Sequence, residues 1–330
     1  MRPGAGGSAP SGPPVAESSR TAESPPRQPV LPVADSALTS APPAAWRQPP
    51  RGYWRDAFRR LARRPMPMAG LVILITLVLL AAIGPNVSPF SYEEQDLFST
   101  NQPPSSVHWF GTDDLGRDIF VRAWIGARIS LFIGTTAALL YFVIGMIYGG
   151  IAGYYGGRVD EVMMRVVDTL YGVPHLLVTI MLTVVLQPGL FSIILAMVAT
   201  GWVGAARLVR GQVLQLREME YVQATRALGG QFPRILGRHL LPNAMGPLIV
   251  AATLSVPSAI FTEATLSFLG LGVPAPLSSW GTMVSDGVVT MFTGQVWRLL
   301  VPSVLISLTM FSFNALGDGL RDALDPRTRQ

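Results

Sequence analysis

The sequence contains no cysteine and no lysine, and all 25 of its basic residues are arginine. Without cysteine the chain has no disulfides, no thiolate nucleophiles and no zinc–thiolate sites. Without lysine it cannot form the phosphate-binding loop that reaches the terminal phosphates of ATP, so it does not hydrolyse ATP by that route. The three histidines, His108, His175 and His239, are far apart and match no metal-binding motif. We therefore expect no metal and no cofactor in this chain.

Charged residues are also scarce. They make up 14% of the chain against 49% apolar residues, and the mean hydropathy is +0.39, so a lipid bilayer is the expected solvent. The net charge of +5 does not indicate nucleic-acid binding, because the arginines flank apolar runs instead of forming one basic face. The sequence has no nucleophile-elbow motif and no pair of intramembrane carboxylates beside a histidine, so we do not expect an enzyme.

The apolar residues fall into six segments, each near the roughly 20 residues that cross a bilayer core. These segments lie at residues 67–85, 129–152, 167–187, 190–206, 246–271 and 298–316. Gln187, Pro188 and Gly189 separate the third segment from the fourth, which indicates a tight turn between antiparallel helices. The sequence therefore predicts an all-α, polytopic membrane domain with about six transmembrane helices over residues 67–330.

Arginine is concentrated in two stretches outside these segments. One stretch covers residues 51–64 and the other covers residues 207–238, whereas the loop 85–120 is rich in carboxylates and has Arg117 as its single arginine. Loops rich in arginine stay on the cytoplasmic side of a membrane. We therefore expect both termini in the cytoplasm and the loop 85–120 outside.

The chain before the first span divides into two parts. Residues 1–50 are rich in Pro, Ser and Ala and have no periodic apolar pattern, which predicts a disordered cytoplasmic tail. Residues 51–66 place Trp54, Ala57, Phe58 and Leu61 between arginines, a pattern typical of a basic amphipathic helix on an anionic membrane surface. An equally good explanation is that these arginines only set the orientation of the first span in the membrane.

The loop 207–245 between spans four and five predicts a helix, a turn and a second helix. Tyr221, Ala224, Thr225 and Leu228 recur at helical spacing and form a small apolar face. Gly229, followed by another glycine, supplies the left-handed backbone that ends such a helix, and Pro242 is expected to close the second one. A short helix with this face suits a groove on a partner, although packing against its own bundle explains the same pattern.

The spacing of Glu220, Ala224, Gly229, Leu241 and Pro242 resembles the EAA loop of permease subunits of ATP-binding-cassette (ABC) importers. Three further stretches, HWFGTDDLGRDIF, GYYGGRVDEVMMRVVD and EATLSFLGLGVPAPLSSWG, narrow the resemblance to the permeases of the oligopeptide, dipeptide and nickel branch. In that family the EAA loop is the coupling helix that docks into the cytoplasmic ATPase. The residues that this resemblance assigns to the ATPase contact are Glu220, Tyr221, Ala224, Thr225, Leu228, Gly229, Leu241 and Pro242.

The resemblance also implies an architecture and partners. It implies the type I ABC importer permease fold in a bacterial inner membrane, with a homologous permease subunit, cytoplasmic ABC ATPase subunits and an extracytoplasmic substrate-binding protein as partners. Di- or oligopeptides are the favoured substrate, with nickel chelates left open. The alternative is a secondary transporter or channel without an ATPase, which would use several intramembrane charges.

Two other features are candidate sites. The outer loop carries a family motif formed by Gly111, Thr112, Asp113, Gly116, Arg117 and Asp118. Within it we expect Thr112 and Asp113 to cap the next helix, because the carboxylate spacing does not match a calcium-binding EF-hand loop.

Glu263 is the only carboxylate of the fifth span, and Pro257 precedes it by six residues. Ionisable groups at membrane depth are costly, so the pair is a candidate pathway or gate element. The simpler interpretation is an interfacial carboxylate that bonds the hydroxyl groups of Thr262, Thr265 or Ser267.

Overall fold

The computed structural model describes residues 53–324, and in this range the chain is helical with no β-strand. The predicted tail at residues 1–50 lies outside the described residues. Four helices are long and apolar enough to cross a bilayer, and the count rises to six if each of two bent helix pairs is one span. The all-α fold with about six spans is therefore confirmed.

The chain begins with α1 (Tyr53–Ala62) and two long helices, α2 (Pro65–Val87) and α3 (Ile119–Tyr155). The first bent pair is α4 (Gly157–Tyr171) and α5 (His175–Leu186), and the second is α6 (Leu190–Gly201) and α7 (Val203–Arg217). The segment between spans four and five contains α8 (Glu220–Ala227) and α9 (Phe232–Ile235). The last long helices are α10 (Leu241–Leu266) and α12 (Trp297–Leu324), with α11 (Trp280–Val289) between them.

The prediction of one continuous helix over residues 167–187 is wrong, because an 80° bend separates α4 from α5. The bend falls at Gly172, Val173 and Pro174, where the proline ring disfavours helical backbone in the residue before it. The apolar part of this segment is only α5. The tight turn predicted between the third and fourth segments is confirmed, because residues 187–189 join α5 to α6.

Helix α1 packs against the bundle. Ala57 and Leu61 are buried in a cluster with Ala323 and Leu324 of α12, whereas Phe58 is 65% exposed. Two residues of the predicted apolar face, Ala57 and Leu61, therefore pack against the bundle and not against lipid. The side chain of Trp54 lies outside the described residues. Contact of Phe58 with lipid stays a prediction.

Helices α3 and α7 lie against each other along a row of glycines. Gly145, Gly149 and Gly153 are spaced by four residues, so they share one face of α3. A methyl group at Gly149 would overlap the carbonyl oxygen of Ala206 on α7, and one at Gly153 would lie 3.0 Å from the carbonyl oxygen of Arg210. Small residues at this spacing let helix backbones approach closely in membranes. The contact fixes α7 against the longest helix of the domain.

The substitution Gly149→Ala should destabilise the α3–α7 contact by about 1–3 kcal/mol, because the added methyl group meets backbone that cannot move independently. Gly211→Ala on α7 is the matched control, since a methyl group there meets no atom within 4 Å. Alanine also favours a helix over glycine, so the control should unfold at the same or a slightly higher temperature. Thermal unfolding of both variants in lipid nanodiscs, followed by tryptophan fluorescence, tests this. Equal unfolding temperatures would contradict the proposed role of the glycine row.

Candidate functional site

The predicted helix of the 207–245 loop forms as α8, and one buried side chain joins it to the bundle. Val222 is fully buried in a cluster that includes Val213 of α7, Ile235 of α9 and Leu248 of α10. The Tyr221 hydroxyl accepts a hydrogen bond from the Asn243 amide nitrogen at 3.3 Å. Helix α8 is thus connected to both α7 and α10.

Most of the remaining α8 surface is accessible, although the Arg226 guanidinium lies 4.9 Å from the centre of the Tyr154 ring on α3. Leu228 is 89% exposed and Tyr221 is 41% exposed, and Glu220 and Ala224 are exposed as well. Thr225 is half-buried, and its hydroxyl donates back to the Tyr221 carbonyl at 2.7 Å. Of the residues predicted to contact a partner, Glu220, Tyr221 and Ala224 are therefore accessible on α8, with Leu228 directly after it, whereas Leu241 and Pro242 belong to α10.

Two glycines end α8, as predicted. Gly229 has φ +82°, and its N–H donates to the Arg226 carbonyl at 2.9 Å. The N–H of Gly230 donates to the Thr225 carbonyl at 2.9 Å, which completes the paired hydrogen bonds of a Schellman motif. A side chain at Gly230 would lie 2.7 Å from the Thr225 carbonyl oxygen, so the second glycine is required by the close approach of the backbone.

The prediction that Pro242 closes the second helix is wrong. The helical segment runs from Phe232 to Leu271, and Pro242 lies in the first turn of α10, directly after a π-helical turn at Leu236–Leu240. In that turn the Leu241 N–H bonds to the Leu236 carbonyl, one residue further back than in an α-helix. Because the backbone hydrogen bonds of the helix are shifted by one residue at this turn, the missing N–H of Pro242 does not break the helix. Leu241 and Pro242 lead into the fifth span.

A groove of about 490 Å³ opens on the surface formed by α4, α5, α6, α7 and α10. Helix α10 lines it with a stripe of small residues, Ala251, Ser255, Ser258 and Thr262, which are three or four positions apart and so share one face. Gly201 and Gly204 line the α6–α7 side. Among the described residues that line the groove there is no Asp, Glu or Arg, so its walls are neutral. Larger side chains, such as Tyr141 and Tyr171, line the groove as well.

The polar groups of the groove are few. His175 Nδ1 lies 2.7 Å from the Thr200 hydroxyl, which orients the imidazole ring. The hydroxyls of Ser255 and Thr262 donate to carbonyls of their own helix at 2.8 and 2.9 Å. A neutral groove with a few hydroxyl groups and one imidazole suits uncharged amide groups better than ions. Within residues 53–324 no cluster of three His, Asp or Glu side chains could hold a metal.

Glu263 lies behind the groove wall and is fully buried. Its carboxylate accepts hydrogen bonds from Ser267 at 2.7 Å and from Ser130 of α3 at 3.1 Å. The Ser267 hydroxyl lies 3.2 Å from that of Ser279, the N-cap residue of α11. Glu263 therefore joins α10, α3 and α11.

Of the three hydroxyl partners expected for Glu263, the structure pairs it with Ser267. Thr262 and Thr265 instead bond backbone carbonyls of α10, at Ser258 and Phe261. Pro257 is buried one and a half turns before Glu263. The role of these two residues as a gate stays a prediction.

The prediction that Thr112 and Asp113 cap the helix after the outer loop is wrong. Asp118 is the N-cap residue of α3, and its carboxylate accepts the Val121 N–H at 2.9 Å. Gly116, with φ +71°, turns the chain between the expected and the observed cap. The Thr112 hydroxyl instead accepts the Gln102 N–H at 2.8 Å and donates to the Ser99 carbonyl at 2.5 Å, so it holds the loop together.

Asp113 is the centre of a buried ion-pair network. Its carboxylate accepts a hydrogen bond from Arg117 Nε at 2.7 Å and another from the Arg122 guanidinium. The N–H groups of Leu115 and Arg117 also donate to it, both at 2.9 Å. Burial alone would raise the pKa of Asp113, but the charges of Arg122 and Arg117 with these hydrogen bonds lower it below the ordinary value.

Arg298 connects the same loop to α12. Its guanidinium donates to Asn101 Oδ1 at 2.8 Å and to Asp114 Oδ1 at 2.9 Å. Arg122 also lies 3.5 Å from Asp286 of α11. The motif from Gly111 to Asp118 is therefore structural: its side chains fix the outer loop to α3, α11 and α12.

The groove residues of α10, together with Arg122, Asp286 and Arg298, belong to no motif in the sequence. For the groove a usable signal exists, namely the small and hydroxyl residues spaced by three or four along the fifth span. For the ion pairs no local signal exists, because Asp286 and Arg298 are far in sequence from the residues they bind.

Two family models match the chain. The model described as "Binding-protein-dependent transport system inner membrane component" matches residues 142–330, and the model described as "N-terminal TM domain of oligopeptide transport permease C" matches residues 52–104. Among curated proteins, the dipeptide transport system permease protein DppC of Bacillus subtilis is 56% identical over 284 residues, covering 86% of this chain and 89% of the relative.

Two further permeases give the same result. The oligopeptide transport system permease protein OppC of Bacillus subtilis is 56% identical over 277 residues, 84% of this chain and 90% of the relative. OppC of Escherichia coli K12 is 42% identical over 281 residues, 84% of this chain and 93% of the relative. A solved structure of the MetNI methionine ABC transporter in an inward-facing conformation is 19% identical with a TM-score of 0.51, and covers 61% of this chain and 97% of its own. The similarity to the MetNI structure shows the fold alone.

The buried ion pairs predict a contrast between two aspartates. Asp113→Asn leaves Arg117 and Arg122 without their buried carboxylate and should destabilise the protein by about 3–5 kcal/mol. Asp168→Asn is the matched control, because the side chains of Asp168 and its partner Arg207 are both exposed, 56% and 38%, and an exposed pair contributes about 0–1 kcal/mol. The measurement is the unfolding temperature of each variant in nanodiscs at pH 7.

The comparison of wild type with Asp113→Asn also predicts a pH dependence of the stability. The pKa of Asp113 is lowered in the folded protein, so its stabilising effect is complete above the ordinary carboxyl pKa of about 4 and is lost as the pH falls through the lowered value. The difference in unfolding temperature between wild type and Asp113→Asn should therefore shrink on acidification. A difference that stays constant from pH 7 to pH 3 would argue against an ionised Asp113.

Proposed function

Since this chain belongs to the family of binding-protein-dependent transport system inner membrane components, we propose that it forms half of the membrane pathway of an ATP-driven peptide importer. It is a multi-pass transport subunit, and the resemblance expected from its motifs is confirmed. ATP hydrolysis belongs to partner chains. The observation that carries the coupling mechanism is the exposed face of α8, which is joined to two pathway helices by one buried residue.

The groove is the half-pathway contributed by this chain. It is open on one side, so a second, homologous permease subunit is needed to enclose it. Its neutral walls, with small residues along α10, leave room for peptides with different side chains and offer hydroxyl groups to the peptide amides. Relatives named as dipeptide and oligopeptide permeases support peptide cargo. A nickel ion would find only one imidazole, His175, and no carboxylate among the lining residues, so nickel is the weaker candidate.

Helix α8 is the coupling helix that docks on an ATPase subunit. Its exposed residues Tyr221, Ala224 and Leu228 form a compact apolar face of the size that enters a partner's groove. Val222 connects this face to α7 and α10. Both helices line the groove further along, through Val203 and Ser255. A movement of the ATPase that displaces α8 therefore reaches the groove through two rigid helices.

The arginine pattern supports an orientation in which α8 and both termini are cytoplasmic and the loop 88–118 is extracytoplasmic. This orientation brings α8 to the ATPase and the Asp113 network to the side where a substrate-binding protein would deliver peptide. The alternative, a secondary transporter or channel, requires several charges in the pathway. The groove has none among its lining residues.

The coupling role predicts that Gly229→Asp strongly reduces ATPase activity stimulated by the binding protein. The added carboxylate lies beside the docking face, where a methyl group meets no atom within 4 Å, so the fold has room for it. Gly229→Asn is the matched control, because asparagine tolerates the positive φ at least as well and carries no charge. We expect stimulation to fall about tenfold or more in Gly229→Asp, equivalent to about 1.4 kcal/mol of lost coupling, and to fall much less in Gly229→Asn.

The complex for this measurement contains both permeases and the ATPase subunits in nanodiscs, and copurification of the ATPase is recorded with activity. If the two variants retain equal stimulation and equal ATPase association, α8 is not the transmission element. The secondary-transporter alternative would then become the better one.

A further inference from the structure

The outer loop presents two apolar side chains to solvent at the end of an acidic stretch. Leu97 is 69% exposed and Phe98 is 99% exposed. Glu93, Glu94 and Asp96, which directly precede them, are exposed as well. We call Leu97 and Phe98 the Leu97–Phe98 tip. It plays no part in the groove, the coupling helix or the Asp113 network.

The backbone under this tip is held in one conformation. The Asp96 carboxylate accepts hydrogen bonds from the Phe98 N–H at 3.0 Å and from the Ser99 hydroxyl at 2.6 Å. The Ser99 N–H also donates to the Asp96 carbonyl at 2.9 Å. Gly116 approaches the carbonyl of Asp96 so closely that a side chain there would overlap it. The tip is therefore clamped to the family motif that the ion pairs fix to the bundle.

An exposed phenylalanine on a rigid turn has the physical properties of an interface anchor. Burying such a side chain is favourable because it removes a large apolar area from water. Because the turn is already ordered, a partner that covers the ring loses little of this gain to conformational entropy. Aromatic residues of this kind carry a large share of the binding free energy at many protein interfaces.

The charges around the tip indicate what covers it. The hydrogen bonds from Ser99 and Phe98 lower the pKa of Asp96, so this carboxyl is ionised at neutral pH. Together with Glu93 and Glu94 it repels an anionic bilayer surface, which disfavours insertion of the tip into lipid. A protein pocket that is apolar at its centre and basic at its rim is the complementary surface.

We propose that the Leu97–Phe98 tip docks into the extracytoplasmic substrate-binding protein, with Phe98 in an apolar pocket and the three carboxylates facing basic side chains around it. This inference rests on the proposed function, which orients the loop to the outside. It adds a named contact for one partner of the importer.

The absence of cysteine from the chain makes a direct test possible. Phe98→Cys introduces a single thiol that can carry an environment-sensitive fluorophore. Phe292→Cys is the matched control, because Phe292 is 88% exposed on the segment between α11 and α12 and has no acidic residue within five positions on either side. Both labelled chains are assembled with their partner subunits in nanodiscs of neutral and of anionic lipid.

Addition of the binding protein that stimulates the wild-type complex should shift the emission of the label at position 98 to the blue, and leave the label at position 292 unchanged. Three results would overturn the proposal. A blue emission that depends on anionic lipid before the binding protein is added means contact with the bilayer. A thiol that reacts in the isolated chain but not in the assembled permease pair means a permease–permease contact. An unchanged emission on addition means that the binding protein does not cover the tip.

A functional measurement separates this inference from the proposed function. In Phe98→Ala the concentration of binding protein that gives half-maximal ATPase stimulation should rise about tenfold or more, as expected for loss of an interface anchor. Phe292→Ala should match wild type. If the wild-type complex is stimulated and Phe98→Ala behaves identically, the docking inference fails and the proposed function stands. If no peptide-binding protein stimulates the wild type, the proposed function itself fails.

Discussion

The contact between α3 and α7 is the constraint on which the rest of the domain depends. At Gly149 the two backbones leave no room for a methyl group, so their separation is set by glycine and not by adjustable side chains. Tyr141, on α3, and Val203 and Gly204, on α7, line the groove. At its other end α7 leads into α8. The same rigid contact therefore positions both a wall of the groove and α8, the proposed coupling helix.

Polar groups are distributed in a way that separates mechanical from transport roles. Arg122 at the start of α3 and Arg298 at the start of α12 are paired with carboxylates and hold the loop between α2 and α3 in place. Glu263 is buried among serine hydroxyls and joins three helices. The groove carries neither kind of group.

The bundle is connected differently at its two ends. On the outer side, ion pairs and a turn clamped by Gly116 hold the loop to several helices at once. At the proposed cytoplasmic side, α8 contacts the bundle mainly through Val222, and the adjoining segment contains a π-helical turn. Turns of this kind often occur at functional sites. In the proposed importer, the first kind of contact would give a stable docking platform outside and the second a movable connection inside.

The sequence by itself determined the features that depend on local chemistry. A bilayer requires apolar segments of a certain length, so the apolar segments were predictable, but the 80° bend within the third was not. The end of α8 was predictable because only glycine readily adopts the backbone at position 229. Tertiary structure decided the rest. Asp118 caps α3 because the chain turns at Gly116 and folds back on residues 99–102. Pro242 stays inside a helix because a π turn precedes it, and Glu263 is buried because hydroxyls from α3 and α10 satisfy it. These outcomes depend on which distant groups meet, and no local propensity carries that information.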